Sequence, residues 1–160
     1  MAILTEVEFN IKYELYSQQL MNIAYGYTKS KDDSLDIIQN VFTKLINHYK
    51  KFNDLNHEKY WLIRVTINEC KDFLRKKAKG AIVNSELVES FLQTDSSEAK
   101  LHYIADLVKK LPEKYRVVTI LYYWDSLSVK DIATILKIKE DAVKKRLERA
   151  RKLIKCEMEE

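Results

Sequence analysis

The chain has 160 residues, of which 46% are hydrophobic and 32% charged, with a net charge of +4. This composition excludes a chain that is disordered as a whole, and the length leaves room for one domain or two small ones. Only two glycines and one proline occur, so the tight turns that hairpins need are scarce and we predict an all-α fold. No stretch has the roughly 20 apolar residues of a membrane span, and residues 1–6 lack the basic start of a signal peptide, so we expect a cytoplasmic protein. Cys70 and Cys156 lack Cys-x-x-Cys spacing, which argues against a disulfide or zinc site, and we expect Cys70 to be buried.

The first predicted helix begins at Thr5, because Thr5 and Glu8 have the spacing of a capping box, and it ends near Tyr25, just before Gly26. A second helix follows a polar turn, and Asp33 is its expected N-cap. Apolar residues recur on one side of this helix and predict a buried face: Leu35, Ile38, Phe42, Leu45 and Tyr49. The opposite face is polar and almost uncharged, which suits a protein partner as well as ordinary hydration: Asp36, Gln39, Asn40, Thr43 and Asn47.

A third helix is predicted after the break in periodicity at residues 52–56, running from about Glu58 to Lys77 with Asn56 as its cap. One side is apolar and is expected to be buried: Trp61, Leu62, Val65, Cys70 and Phe73. Polar side chains lie largely off that side: Arg64, Asn68, Lys71, Asp72, Arg75 and Lys76. Residues 71–79 include five bases and one acid, a pattern that suits a polyanion but also occurs on hydrated helix faces.

The middle of the chain predicts a linker between two modules. Residues 80–94 combine acids and small polar residues with a short apolar segment, and residues 80–99 carry four acids and no Lys or Arg. We therefore expect two small helical domains, residues 1–79 and 96–160, joined by a flexible acidic linker at residues 80–95.

The second module is predicted to open with two helices. Asp95 and Glu98 have capping-box spacing and begin a helix that ends near Leu111. Pro112 suits the first turn of the next helix, which runs to about Tyr123. The first of these helices has an apolar face: Leu101, Ile104, Ala105 and Val108.

The last two helices have the layout of a helix-turn-helix. Ser128 caps a short helix that ends at Leu136, and a turn of about three residues leads to a basic helix from Glu140 to about Lys155. Nine bases and three acids occur in residues 137–155. Apolar residues of the two helices are expected to face each other: Ile132, Ala133, Leu136, Val143 and Leu147. The bases predicted to contact DNA are Lys144, Lys145, Arg146 and Arg149, although basic helical hairpins also occur outside DNA binding.

Several segments resemble the sigma-70 family of RNA polymerase sigma factors, especially its small extracytoplasmic-function (ECF) group. The sequences LSVKDIA at 127–133 and AVKKRLERAR at 142–151 resemble the family's C-terminal DNA-binding region, and LPEKYR at 111–116 resembles its start. The sequence DIIQNVF at 36–42 resembles the helix that binds the polymerase clamp. A further set resembles the minus-ten-element segment: Trp61, Leu62, Asn68, Asp72 and Arg75. These matches span nearly the whole chain in the family's order.

The resemblance implies a dissociable promoter-specificity subunit of RNA polymerase, with no enzyme activity or cofactor of its own. It implies contact between the clamp helices of the largest polymerase subunit and Asp36, Gln39, Asn40 and Thr43. It implies binding to the minus-ten element, including capture of a flipped base, by Phe52, Asn53, Asp54, Asn56, Tyr60, Arg64, Asn68, Arg75 and Lys76. It implies binding to the minus-thirty-five element by Lys130, Lys144, Lys145, Arg146 and Arg149. An anti-sigma protein that masks the two domains is a further expected partner.

Two ring residues near the expected base-capturing loop have competing interpretations. Tyr60 is either a stacking residue or part of the packing, whereas Trp61 is expected to be structural and His57 a surface or capping residue. The chain also departs from the family pattern at four positions, where acids, glycine and serine are usual: Leu35, Asn40, Lys137 and Lys139.

Two rival hypotheses follow from the same residues. A stand-alone helix-turn-helix regulator would bind operators without polymerase, but residues 35–76 would then have no explanation. A helical protein-interaction module would make both basic patches accidental. Catalysis is not predicted, because the three histidines (His48, His57 and His102) are scattered and two isolated glycines cannot form a phosphate-binding loop.

Overall fold

A computed structural model describes residues 4–47, 52, 54–79 and 106–159, and within these ranges the chain contains helices and no β-strand, which confirms the all-α prediction. The helices are α1 (Glu6–Thr28), α2 (Lys31–Asn47), α3 (Leu55–Lys79), α4 (Glu113–Thr119), α5 (Val129–Leu136) and α6 (Glu140–Glu159). A helical turn at 106–109 precedes α4, and a π-helical turn, Ile120–Trp124, continues it. The predicted linker, the Asp95 cap and Tyr49 lie outside the described residues. None of the described helices is long and apolar enough to cross a membrane.

The start of α1 follows the predicted capping box. The Thr5 hydroxyl accepts the Glu8 N–H at 3.1 Å, and the Thr5 N–H donates to the Glu8 carboxylate at 2.9 Å. The Thr5 hydroxyl also donates to the same carboxylate at 3.0 Å. The two hydrogen bonds that the carboxylate accepts, from the Thr5 N–H first and the Thr5 hydroxyl second, favour its charged form and lower the pKa of Glu8. The helix runs past the predicted end at Tyr25 to Thr28, where Lys29 takes a left-handed conformation with φ 56°.

Two other predicted caps are wrong by a few residues. Helix α2 begins at Lys31 because the Ser30 hydroxyl accepts the N–H of Asp33 at 3.2 Å, so Asp33 lies inside the first turn. Helix α3 begins at Leu55, because the Asp54 carboxylate accepts the His57 N–H at 2.8 Å, and Asn56 is therefore already helical. In both places the first available Ser or Asp acts as the cap, ahead of the expected residue.

Helices α1, α2 and α3 pack as a three-helix bundle. Its core combines apolar side chains from all three helices: Leu20, Ile23, Ile37, Ile38, Val41, Phe42, Leu45, Leu62, Ile63, Ile67 and Cys70. Cys70 is a free, buried thiol, as predicted, and burial raises its pKa. The prediction that Leu35 belongs to this core is wrong, because its side chain is 39% exposed. Ile37, one position beyond the predicted face, is buried instead.

A buried carboxylate fixes the start of α3 against α1. Glu58 is 4% exposed, accepts a hydrogen bond from the Tyr16 hydroxyl at 2.9 Å and forms an ion pair with Lys12. Burial and the hydrogen bond to Glu58 raise the pKa of Tyr16. Because its carboxylate is paired on both oxygens, Glu58 can be buried without an unsatisfied charge.

Helices α5 and α6 form the predicted helix-turn-helix. The Ser128 hydroxyl accepts the Asp131 N–H at 3.1 Å and begins α5 at the predicted residue. Helix α6 starts at Glu140, as predicted, but extends to Glu159, beyond the predicted end at Lys155. The facing side chains are buried or half-buried: Ile132, Ala133, Leu136, Val143 and Leu147.

The turn between α5 and α6 contains the lysine that departs from the family pattern. Lys137 has φ 59° and ψ 43°, a left-handed conformation, and its N–H donates to the Ala133 carbonyl. We expect Lys137→Gly to stabilise the chain by about 1 kcal/mol, or roughly 3 °C in Tm, because glycine has no Cβ to strain this conformation. The matched control is Lys145→Gly, an exposed lysine inside α6, which is expected to lower the Tm. A melt in which Lys137→Gly loses stability would show that the lysine side chain contributes more than its backbone strain costs.

The two halves of the chain share one continuous hydrophobic core. Every residue of α1 from Leu20 to Tyr27 is buried, because α1 contacts α4 and the π-helical turn in addition to α2 and α3. Helix α3 also contacts α5 of the helix-turn-helix. The described residues therefore place the helix-turn-helix directly against the three-helix bundle.

Candidate nucleic-acid interface

Three of the exposed bases of helix α6 lie in its first half. Lys144, Lys145 and Arg149 are exposed, while Val143 and Leu147 on the opposite side are buried. Lys145 and Arg149 are four residues apart and therefore project from neighbouring turns of one face. We call Lys144, Lys145 and Arg149 the recognition face. Glu140 and Asp141 lie in the first turn of α6, where acids complement the helix dipole.

Arg146 does not share this face. It is half-buried and lines a cavity of about 480 Å³ between the two halves of the chain. The other lining residues come from α1, α3, α4, α5 and the turn: Tyr27, Lys71, Pro112, Glu113, Lys114, Val117, Leu136 and Ile138. Arg146 was predicted to contact DNA together with the other bases of α6 because of its charge. It is three residues from the buried Val143 and therefore lies beside the buried side of the helix.

Two further bases of the helix-turn-helix have different surroundings. Lys130 is exposed in the first turn of α5, near the N-terminus of the helix-turn-helix. Arg151 donates through Nε to the Tyr123 hydroxyl at 2.8 Å and lies over the Tyr122 and Tyr123 rings. Arg151 therefore connects α6 to the π-helical turn, and this contact helps to position the recognition face.

The polar stripe of α2 is exposed along its whole length. Asp36, Gln39, Asn40 and Thr43 all face solvent, and the Thr43 hydroxyl donates to the Gln39 carbonyl at 2.8 Å within the helix. Two apolar side chains border this stripe: Leu35 is 39% exposed and Ile46 is 51% exposed. Neither exposed side chain was predicted, although the spacing of Leu35 from Gln39 and of Ile46 from Thr43 follows the helical repeat. We call Asp36, Gln39, Asn40 and Thr43, with Leu35 and Ile46, the α2 face.

The residues before α3 are tied to local structure. Phe52 is half-buried and packs against the His57 and Trp61 rings, with centroid distances of 5.2 and 5.7 Å. Asp54 is the cap of α3, and Asn56 is exposed. Asn53 lies outside the described residues. Trp61 is half-buried against the core, which agrees with its predicted structural role.

Tyr60 and Arg64 lie one turn apart on α3 and line a second cavity, of about 230 Å³. The opposite wall is α5, which contributes Asp131, Thr134 and Ile135. The Tyr60 hydroxyl donates to the Asp131 carboxylate at 2.7 Å. This hydrogen bond, followed by burial, raises the pKa of Tyr60 to about 12. Nothing in the sequence indicated this contact, because the two residues are 71 positions apart.

The C-terminal part of α3 carries the remaining predicted residues. Asn68, Arg75 and Lys76 are exposed and recur at helical spacing. Arg75 forms an exposed ion pair with Asp72 at 3.2 Å, a contact that contributes little to stability and can be exchanged for a phosphate. This part of α3 therefore presents two cationic side chains and one amide to solvent, away from the bundle core.

A three-helix bundle with a basic third helix, packed against a helix-turn-helix with an exposed basic helix, defines a class of helical DNA-binding proteins with two separate basic surfaces. Two family models match this chain: Sigma-70 region 2 over residues 13–80, and Sigma-70, region 4 over residues 101–154. The chain therefore belongs to the sigma-70 family of RNA polymerase sigma factors, in its ECF type. Its function is promoter-directed initiation of transcription.

Similar proteins support the same assignment. RNA polymerase sigma factor SigV of Bacillus subtilis is 27% identical over 143 residues, which cover 89% of this chain and 86% of the relative. SigZ of the same organism is 30% identical over 127 residues, covering 75% of this chain and 69% of the relative. The fold resembles that of the sigma factor RpoE in complex with the anti-sigma factor NepR from Bartonella quintana, with TM-score 0.70, 21% identity and coverage of 91% and 94% of the two chains. It also resembles CnrH in complex with the cytosolic domain of CnrY, with TM-score 0.67, 19% identity and coverage of 97% and 90%.

Proposed function

We propose that this sigma factor binds the clamp helices of the largest core RNA polymerase subunit with its α2 face and reads a promoter with α3 and α6. The observation that carries this assignment is the exposure of the α2 face and of the recognition face on different halves of the chain. One surface suits a protein partner, and the other suits a polyanion. A single chain with both can recruit polymerase and DNA at the same time.

The α2 face has the composition of a transient protein interface. Its centre is polar and nearly uncharged, and its borders are the exposed side chains of Leu35 and Ile46. Apolar groups beside uncharged polar groups can be desolvated at a lower cost than a charged surface. Asn40 stands where most family members have an acid, so a neutral amide replaces a charge in the middle of this face.

The minus-ten element is assigned to α3 and the loop before it. Tyr60 offers a ring for stacking, and Arg64 lies one turn further along the same side. The exposed bases and amide of the C-terminal part can follow the phosphates of the separated strand: Asn68, Arg75 and Lys76. Phe52, Asn53, Asp54 and Asn56 would shape the base-capturing loop. We define Tyr60, Arg64, Asn68, Arg75 and Lys76 as the minus-ten face.

The minus-thirty-five element is assigned to the helix-turn-helix. The recognition face would enter the major groove, where Arg149 can pair with guanine edges and Lys144 and Lys145 can neutralise phosphates. Lys130, exposed in the first turn of α5, and Arg146, half-buried on α6, would contact the flanking backbone. The hypothesis of a stand-alone regulator is not favoured, because it explains neither the α2 face nor the match to Sigma-70 region 2.

Further assignments complete the proposal. We propose two domains, residues 1–79 and 96–160, joined by an acidic linker at residues 80–95. The chain would act in the cytoplasm as a binding subunit, without enzyme activity or a cofactor of its own. An anti-sigma protein is a further proposed partner, since a similar solved structure is that of a sigma factor in complex with the anti-sigma factor NepR.

Capture of purified core RNA polymerase tests the α2 face with a matched pair of variants. Asn40→Arg is expected to weaken capture at least about tenfold, because it forces a long cationic side chain into the centre of the interface. Asn10→Arg places the same change at an exposed position of α1 and is expected to leave capture unchanged. If both variants and the unchanged chain capture polymerase equally, the α2 face is not part of the polymerase interface. Failure of the unchanged chain to capture core polymerase would contradict the proposed function itself.

A further inference from the structure

The larger of the two cavities described above has basic walls and lies apart from the recognition face. Its volume is about 480 Å³, and three bases from three helices line it: Lys71 of α3, Lys114 of α4 and Arg146 of α6. Glu113 is the one acid among the described residues that line this cavity. Three bases and one acid give the walls a formal net charge of +2. Because a cavity lined by charges of one sign concentrates their field on the enclosed space, it attracts anions.

The three bases are not neutralised by carboxylates of the chain. Within the described residues, none of them forms an ion pair, and Lys114 lies over the Tyr115 ring with its Nζ 5.0 Å from the ring centroid. Lys71 and Lys114 are exposed and free to turn towards a ligand, whereas Arg146 is half-buried and partly removed from water. A guanidinium can bind two oxygens of one phosphate group, so Arg146 suits a phosphate better than a monovalent ion.

A buried tyrosine at the same cavity has a hydroxyl without a partner. Tyr27 of α1 is 5% exposed and lines the cavity, and its hydroxyl makes no hydrogen bond within the part of the chain that the structure describes. Burial is the main cause of the raised pKa of Tyr27, so the hydroxyl keeps its proton at neutral pH and is a donor. Polar groups of buried side chains nearly always have a hydrogen-bond partner. An acceptor inside the cavity would supply the one that Tyr27 lacks.

Another part of the cavity wall is apolar. Val117 of α4 is buried, while Leu136 and Ile138, at the turn of the helix-turn-helix, are half-buried. Small-molecule sites usually enclose about 300–1,000 Å³ and combine apolar walls with a few polar groups. A cavity of about 480 Å³ with this lining therefore suits an organic molecule of nucleotide size, and it is too small for a stretch of duplex DNA.

We propose that this cavity is a binding site for a phosphorylated small molecule of nucleotide size. The three bases hold the phosphate group, the Tyr27 hydroxyl donates to one of its oxygens, and the apolar wall receives the organic part. Arg146 is then shared between this ligand and the DNA backbone. The inference goes beyond the proposed function and does not depend on it, because the site is tested without polymerase or DNA.

Isothermal titration calorimetry of the full chain tests the site. The probes are adenosine monophosphate and uridine monophosphate, and the controls are adenosine, uridine and inorganic phosphate. Each nucleotide is expected to bind at one site per chain and at least about tenfold more tightly than its nucleoside or inorganic phosphate, because only the nucleotide contacts both the bases and the apolar wall. The nucleotides should also raise the Tm of the chain, since a ligand that binds the folded state stabilises it.

Variants of the lining residues separate this site from other basic surfaces. The double variant Lys71→Gln, Lys114→Gln is expected to weaken nucleotide binding at least about tenfold, because two charge-assisted contacts are lost. Tyr27→Phe keeps the ring, removes only the hydroxyl and is expected to weaken binding about fivefold. The matched control, Lys145→Gln, Arg149→Gln, removes two exposed bases from the recognition face and is expected to leave nucleotide binding unchanged.

Three results would overturn the proposed site. The first is binding of the nucleotides that is no tighter than that of the nucleosides or inorganic phosphate. The second is an equal loss in the two double variants, which would assign binding to general positive charge. The third is unchanged binding in both Tyr27→Phe and Lys71→Gln, Lys114→Gln. A melt of each variant without ligand is expected to match that of the unchanged chain, since Lys71 and Lys114 are exposed and the Tyr27 ring is kept.

Discussion

Replacing Asp125 by asparagine is expected to raise the free energy of unfolding at pH 7 by about 4 kcal/mol and to remove much of its pH dependence. Asp125 follows the π-helical turn, is 5% exposed, and neither of its carboxylate oxygens has a hydrogen-bond partner within the described part of the chain. Burial raises the pKa of Asp125 to about 8, and the charge of Lys59 on α3 opposes the rise only in part. The folded protein therefore holds this carboxyl in its neutral form at acidic and neutral pH.

The sign of the pH dependence follows from the two pKa values of Asp125. In the unfolded chain the Asp125 carboxyl has its ordinary pKa of 3.8, and in the folded chain its pKa is about 8, so between these limits the folded state binds one more proton than the unfolded state. The contribution of Asp125 to stability is fully present below pH 3.8, falls by about 1.4 kcal/mol for each pH unit above it, and is lost once the pH passes 8. An asparagine does not titrate, so the Asp125→Asn variant does not lose this stability as the pH rises.

Urea unfolding of both chains at pH 5, 6 and 7 measures this effect. The difference in free energy of unfolding between Asp125→Asn and the unchanged chain is expected to grow by about 3 kcal/mol from pH 5 to pH 7. Asp36→Asn, a change at an exposed acid of α2, is the matched control and is expected to give a difference that varies little with pH. A constant difference for Asp125→Asn would show that its carboxyl is ionised in the folded chain across this range.

Most of the fold follows from local patterns in the sequence. The capping box at Thr5 and the cap at Ser128 depend on residues within a few positions of each other, and both were predictable. The errors at Asp33 and Asn56 arose because two candidate caps stood close together, at Ser30 and Asp54, and periodicity does not choose between them. Boundaries of this kind depend on which side chain reaches the first free N–H groups.

The functional surfaces were predictable only where exposure depends on one helix. Charge and spacing along α6 were enough to select Lys144, Lys145 and Arg149 as exposed bases. They were not enough to separate Arg146, because its burial is created by α1, α3 and α4. The contact between Tyr60 and Asp131 joins residues from different halves, and no helical repeat relates them. Sequence patterns describe the face of a helix, whereas the packing of the two halves decides which face is covered.

Charge reversal on the recognition face is expected to abolish promoter-dependent transcription while polymerase capture continues. The double variant Lys145→Glu, Arg149→Glu changes two exposed side chains that lie one turn apart on α6. Loss of a base-edge contact and of a phosphate contact lowers promoter affinity about 100-fold, and the new carboxylates add repulsion from the DNA backbone. The dependence of binding on salt should also weaken, with the slope of log K against log salt falling by about 1 for the lost phosphate contact.

Transcription from promoters mapped with the unchanged chain and core polymerase supplies the measurement. The control double variant Lys152→Glu, Lys155→Glu makes the same net charge change further along α6 and breaks only an exposed ion pair between Lys152 and Glu148. If both double variants lose transcription equally, net charge and not the recognition face is responsible. If neither loses it, the helix-turn-helix does not read the upstream element. Loss confined to Lys145→Glu, Arg149→Glu would place sequence reading on one face of α6, because both variants keep the polymerase-binding helix and differ only in where the charge is reversed.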